Sequence, residues 1–198
     1  MKITAQMVNE LRQCTGIGMM ECKKALQETE GDIKKAINVL RTKGMARAKE
    51  KMSRSTSDGM VGSYIHMNGR LGVLVEINCE SDFVSRNEEF QELVKNVAMH
   101  IAAANPTYVS ADQVPAESLQ EEKDIIRTQF KDSDKPKEIV EKIVEGKLGK
   151  FFSEVCLLNQ PYIKDDKMTV EQLLATYIAK FGENIQVKQF ARFALGES

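Results

Sequence analysis

The sequence predicts an α+β protein: a small N-terminal helical bundle, a linker, then an antiparallel three-stranded sheet packed with helices. Three observations predict it. The first 50 residues place apolar side chains at helical spacing in three short runs, separated by glycines. Asn68-Gly69 joins two alternating runs, the strongest short hairpin signal. A third alternating run, Ile185 to Leu195, comes only after further helical stretches, so strands and helices do not alternate along the chain.

Each element has its own local signal. Thr4 is a good N-cap, with Ile3 and Val8 spaced as a hydrophobic staple. Val8 and Leu11 share one face of the first helix, and Gly16-Ile17-Gly18 breaks it. The second helix runs from about Met19 to Glu28, with Cys22, Ala25 and Leu26 inward. Gly31 and Asp32 break and re-cap the chain. The third presents Ile33, Ala36, Ile37 and Leu40, with Gly44 as its end or a kink. Met52 to Gly59 is polar and Ser/Thr-rich, and residues 51–58 read as a linker.

Val61, Ser63, Ile65 and Met67 then alternate with Gly62, Tyr64 and His66. The return strand carries Leu71, Val73, Val75, Ile77 and Cys79 on one face. After the connection Ser81–Arg86, Asn87 caps a helix whose stripe is Phe90, Leu93, Val94, Val97 and Ile101. Asn105-Pro106 stops it. A polar helix from about Pro115 to Lys131 and a loop at Asp132-Ser133-Asp134 follow. Pro136 opens a long helix carrying apolar residues from Ile139 to Leu158, ended by Gln160-Pro161. Thr169-Val170-Glu171-Gln172 is a capping box for one more helix before the last strand.

The 198 residues, 42% hydrophobic and 29% charged, suit one average domain or two small ones. The net charge of −1 argues against a chain that binds nucleic acid or anionic membrane through bulk charge. It conceals a dipole. Residues 1–54 hold 12 Lys+Arg against 6 Asp+Glu, and the remainder 16 against 23. No stretch approaches the roughly 20 apolar residues that cross a bilayer. Met1 to Gln13 has no apolar run of signal-peptide type, so the chain reads as cytosolic or as a processed organellar product. Cys14, Cys22, Cys79 and Cys156 form no C-x-x-C pair and read as thiols in a reducing compartment, with no metal site. Gly146-Lys147-Leu148-Gly149-Lys150 has the wrong spacing for a phosphate loop.

No nucleophile, base and orienting group can be assembled, so the residues favour binding over covalent catalysis. Three features stand above background. Gly16-Ile17-Gly18-Met19-Met20 with Lys23 and Lys24 is a glycine turn followed by two methionines. Either both fill the small core, or one faces the core and the other is an adaptable docking contact beside Lys. The basic run Lys43, Arg47, Lys49, Lys51 and Arg54 is either a solvated helix end or a contact to an acidic partner. It has no aromatic residue for base stacking. Asp82-Phe83-Val84 either tucks Phe83 under the sheet or projects it as a wedge. Projection forgoes about 1.5–3 kcal/mol of burial.

At these residues the chain resembles the bacterial-type elongation factor Ts family. The resemblance rests on "TAQMVNELRQCTGIGMMECKKALQETEGDIKKAINVLR", "GVLVEINCESDFVSRNEEF", "KPKEIVEKIVEGKLGKFFSEVCLLNQPYIKDDKMTVEQLL" and "ARFALGE", in the family's order over nearly the whole chain. Ser81 stands where the family commonly has Thr. The resemblance implies a guanine nucleotide exchange factor for the translational GTPase elongation factor Tu, with no covalent chemistry, no cofactor, and no direct contact with nucleic acid or membrane. A ubiquitin-associated-like adaptor without exchange activity is the alternative. It further implies a ubiquitin-associated-like docking domain at 1–50 and a core and dimerisation domain at 59–198. Ser81, Asp82, Phe83 and Val84 match the element that dislodges Mg²⁺ from the partner. Leu11, Met19, Met20, Lys23 and Lys51 match partner-binding positions, and so does His100. Longer members carry a second body subdomain. The single S-D-F-V element here matches the short form and implies a homodimer.

Overall fold

The computed structural model describes residues 3–66, 68–130 and 136–196. Met67, the loop Asp132–Asp134 and the side chains of Arg47 and Lys49 lie outside the described residues. The elements are α1 (Ala5–Thr15), α2 (Met19–Glu28), α3 (Ile33–Lys51), β1 (Asp58–His66), β2 (Leu71–Cys79), α4 (Asp82–Ser85), α5 (Glu88–Ala104), α6 (Ala116–Thr128), α7 (Lys137–Val155), β3 (Pro161–Tyr162), β4 (Asp165–Thr169), α8 (Val170–Phe181) and β5 (Ile185–Ala194). This is the expected α+β architecture. The antiparallel three-stranded sheet has the order β1-β2-β5, and β3 and β4 form a separate two-stranded ribbon. Two compact units result. One comprises Met1–Met60, Ile77–Glu92 and Gln172–Gln186; the other Val61–Glu76, Leu93–Glu171 and Val187–Ser198.

In the first unit, α1, α2 and α3 close on a core of Val8, Leu11, Cys22, Ala25, Leu26, Ala36 and Leu40. The caps read from sequence form. Thr4 Oγ1 accepts the Met7 N–H at 3.3 Å, and Asp32 Oδ1 accepts the Lys35 N–H at 3.0 Å. Gly16 ends α1 with φ of 66°, its N–H donating to Arg12 O. Gly44 does not end α3, which runs through it to Lys51. A Cβ there would stand 3.2 Å from the Ala179 Cβ of α8, so the missing side chain allows close helix approach.

In the second unit the hairpin turns at Asn68 (φ 55°) and Gly69 (φ 89°), the paired left-handed geometry of a tight turn. Gly62 is buried, and a Cβ on it would come within 2.2 Å of Val94 Cγ1 on α5. The opposite face of the same strand exposes Val61 and Ile65. Along β2, Val73 and Val75 of this unit are buried, as are Ile77 and Cys79, which belong to the first unit, while Leu71 at the start of the same alternation is half-buried.

α7 stops at Val155, short of the expected Leu158. Cys156 is extended and bridges Tyr108, with Leu157 N–H donating to Tyr108 O at 2.9 Å and Leu158 N–H to Val109 O at 3.0 Å. A tertiary bridge at Cys156 thus interrupts the helical apolar pattern, and Leu157–Asn159 follow as a single 3-10 turn. The ribbon pairing Pro161 with Thr169 and Tyr162 with Asp165 had no clear signal either. α6 and α7 share a satellite core of Ile126, Val144 and Leu148.

Candidate functional site

The connection after β2 folds as the single helical turn α4. Ser81 precedes it with extended backbone, and the Ser85 and Arg86 N–H groups close the turn on Ser81 O and Asp82 O at 3.3 and 3.1 Å. The turn sorts its side chains. Val84 is buried and holds α4 down, while Phe83 is 81% exposed. Of the two readings open in the sequence, the ring projects. Asp82 is also exposed and lies 3.1 Å from the Arg86 guanidinium.

Several groups fix this turn. Glu183 takes the Ser81 N–H on Oε2 at 3.0 Å and the Ser81 hydroxyl on Oε1 at 2.7 Å. Cys79 Sγ donates to Ser81 O at 3.2 Å. Burial, with the negative charges of Asp58 and Glu183 nearby, pushes the Cys79 thiol up to about 11, so it stays protonated and able to donate. The Ser85 hydroxyl and then the Gly59 N–H, at 2.7 Å, hold the Asp58 carboxyl below the usual carboxylate range. Beside Ser81, Glu80 Oε1 accepts the Asn184 N–H at 2.6 Å. Asn184 Nδ2 donates to Arg54 O at 2.8 Å and Met52 O at 3.3 Å. Glu183, Asn184 and Asp58 carry no motif of their own, and the sequence pattern did not mark them.

The other candidates fall in different places. Met19 and Met20 are 49% and 66% exposed, so neither fills the core. Cys22, Ala25 and Leu26 face inward, and the first turn of α2 overhangs the core edge. Lys23 is exposed on the same helix. Leu11 is wholly buried in the bundle core and offers no free surface. The Lys51 ammonium donates to Gly182 O, next to Glu183.

His100 belongs to the second unit and is wholly buried. Its Nδ1 accepts the Ile163 N–H at 3.3 Å, which leaves Nε2 as the protonated nitrogen, 3.0 Å from Gln160 Oε1. Burial lowers its pKa, opposed by the Gln160 hydrogen bond. Of the four cysteines Cys14 alone is exposed, and all four are free thiols. Among the described residues, no three His, Cys, Asp or Glu side chains are grouped to hold a metal, and no helix is long and apolar enough to cross a membrane.

A family model described as "Elongation factor TS" matches residues 2–197. The chain belongs to the elongation factor Ts family. It is 54% identical over 197 residues to elongation factor Ts of Geobacter sulfurreducens, covering 100% of this chain and 91% of that one. It is 54% identical over 198 residues to elongation factor Ts of Thermodesulfovibrio yellowstonii, covering 100% and 98%. Elongation factor Ts of Thermosipho melanesiensis is 54% identical over 195 residues, with 98% and 100% covered. Family membership gives the chain a role in translation elongation.

Proposed function

We propose that this chain is a guanine nucleotide exchange factor for elongation factor Tu, acting where translation takes place, in cytoplasm or organellar matrix. The observation that carries the reading is Phe83, a large apolar ring left 81% exposed on a turn that is anchored on both sides. An exposed aromatic beside the carboxylate of Asp82 is suited to a partner, because the ring is left in water by its own fold and the carboxylate is tied only to the exposed Arg86.

The mechanism follows from the chemistry of a bound nucleotide. Mg²⁺ neutralises the phosphates and ties them to the GTPase, and backbone amides cradle them. Phe83, inserted beside the ion's ligands, displaces them, and Asp82 competes for their hydrogen-bond donors. Ser81 and Val84 hold the wedge. No covalent bond forms or breaks. The factor binds the nucleotide-free state best, so nucleotide and factor weaken each other by the same factor, with about 1.4 kcal/mol of coupling per tenfold change.

Docking is assigned to the helical head, residues 1–50, joined through 51–58 to the core, residues 59–198. Met19, Met20 and Lys23 make the contact, and Leu11 acts through the bundle core it shares with Cys22, Ala25 and Leu26 of α2. One Lys51 donor is already engaged, leaving two for the partner. His100 acts from inside by holding the backbone of Ile163, whose side chain is exposed. A second copy covers the outer sheet face, where Ile65, Leu74, Phe193 and Leu195 line one shallow apolar depression.

Stopped-flow release of a fluorescent GDP from elongation factor Tu tests the proposal. The intact chain accelerates release, and Asp82→Ala/Phe83→Ala loses most of the acceleration while still binding. A chain that binds without accelerating release is instead an adaptor.

A further inference from the structure

We propose that Glu183 is the positioning residue of the exchange element. It sets the direction in which Phe83 projects by clamping Ser81 from the far end of the chain. The proposal rests on the exchange reading of Ser81–Val84 given above.

Ser81 occupies the N-cap position of α4. A serine there ordinarily turns its hydroxyl onto an N–H of its own helix. Ser81 makes no such bond. Its hydroxyl and its N–H both go to the Glu183 carboxylate, one to each oxygen, at 2.7 and 3.0 Å, across 102 residues of sequence. Local capping is exchanged for a long-range tie to the turn that follows α8.

The tie is reciprocal. While Glu183 binds the backbone of Ser81, Glu80 binds the backbone of Asn184 at 2.6 Å. Two successive residues before α4 are thus clasped to two successive residues after α8. Asn184 passes the tie on to Met52 O and Arg54 O. Two bonds to one residue fix both the position and the rotation of the chain as it enters α4. Val84, buried two residues before Arg86, fixes its exit. With entry and exit held, the Phe83 Cα–Cβ direction is determined although the ring touches little.

A wedge on a loose turn would lose conformational freedom on insertion, and that loss would come out of the coupling available to expel nucleotide. The clasp removes the loss in advance. Both Glu183 oxygens are engaged, so its effect runs through Ser81 and not through contact with the partner.

The test uses the full chain and stopped-flow release of a fluorescent GDP from elongation factor Tu, titrated to give a maximal release rate and a half-saturating concentration. The variants are Glu183→Ala, Glu183→Gln, Phe83→Ala and the double Glu183→Ala/Phe83→Ala. Glu183→Ala lowers the maximal rate about tenfold and moves half-saturation less than about threefold. In the Phe83→Ala background the same change costs nothing more, because there is no ring left to aim. Glu183→Gln recovers most of the rate, its amide oxygen accepting the Ser81 N–H and its NH₂ donating to Ser81 Oγ. If Glu183→Ala melts below the assay temperature, Ser81→Ala, which loses the hydroxyl bond alone, replaces it, with an expected slowing of about threefold. A wild-type maximal rate for Glu183→Ala, additive losses in the double variant, or a change confined to half-saturation overturns the positioning role while the wedge stands. A Phe83→Ala variant as fast as wild type overturns the wedge, and the positioning role with it.

Discussion

Phe83→Ala should separate function from stability, and Phe90→Ala is its internal control. The two rings lie seven positions apart in sequence, yet Phe83 is 81% exposed and Phe90 is wholly buried. A buried Phe removes about 150–250 Å² from water. The fifth of that area that Phe83 covers is roughly 40 Å², worth about 1 kcal/mol at 25 cal/mol per Å². Alanine's better helix propensity in α4 returns about half of it. Phe83→Ala therefore shifts unfolding free energy by less than about 1 kcal/mol, whereas Phe90→Ala costs about 3–5 kcal/mol through lost burial and the cavity left behind. Urea unfolding followed by far-ultraviolet circular dichroism measures both. GDP release behaves inversely: Phe83→Ala loses at least about tenfold in rate, equivalent to 1.4 kcal/mol of transition-state stabilisation, while folded Phe90→Ala loses little. If Phe83→Ala destabilises as much as Phe90→Ala, the ring is packed in solution and cannot be a free wedge.

Other consequences are equally direct. Gly62→Ala drives a methyl into Val94 Cγ1 and costs about 1–3 kcal/mol in urea unfolding, and Val94→Ala in the same chain recovers part of that loss. His100 has a pKa lowered by burial below its usual 6.5, so the unfolded chain binds the proton more readily. Stability is then full above the unfolded value and declines as pH falls below about 6.5; unfolding curves from about pH 7.5 to 5.5 should show the decline, and His100→Gln should flatten it. Met20→Ala should raise the half-saturating concentration of factor in the release assay about threefold or more and leave thermal stability unchanged, since the side chain is mostly exposed. Leu74→Glu/Phe193→Glu places charge on the apolar sheet face and should convert a dimer to a monomer by light scattering at micromolar concentration. A wild-type mass for this variant would remove that face from the interface.

Much of the fold was legible because its signals are local. Thr4, Asp32 and Asn87 cap the helices they were expected to cap, each through a side chain two or three residues from its acceptor or donor. The hairpin turn at Asn68-Gly69 requires two positive φ angles, which those residue types supply. Legibility failed where a distant partner decided the outcome. Gly44 has the composition of a helix end, but α3 continues through it, and a Cβ there would stand a tight 3.2 Å from Ala179 Cβ of α8. Leu157 and Leu158 extend a helical stripe, but Cys156 is extended and bridges Tyr108, so α7 ends there and Leu157–Asn159 form a separate 3-10 turn whose N–H groups reach Tyr108 O and Val109 O. Met19 and Met20 were ambiguous because a bundle of three short helices has little interior, and periodicity does not say where its edge falls.

The candidate site divides along the same line. The sequence by itself determined which residues could form a wedge: an aromatic beside a carboxylate, between a strand and a capped helix. Composition and spacing over a few residues contain that information. Tertiary structure decided that Phe83 projects while Val84 is buried, and that Ser81 is held by Glu183. The physical reason is distance along the chain. Capping and turn preferences act across two to four residues. A hydrogen bond between residues 81 and 183 exists only after the strands and helices between them have assembled.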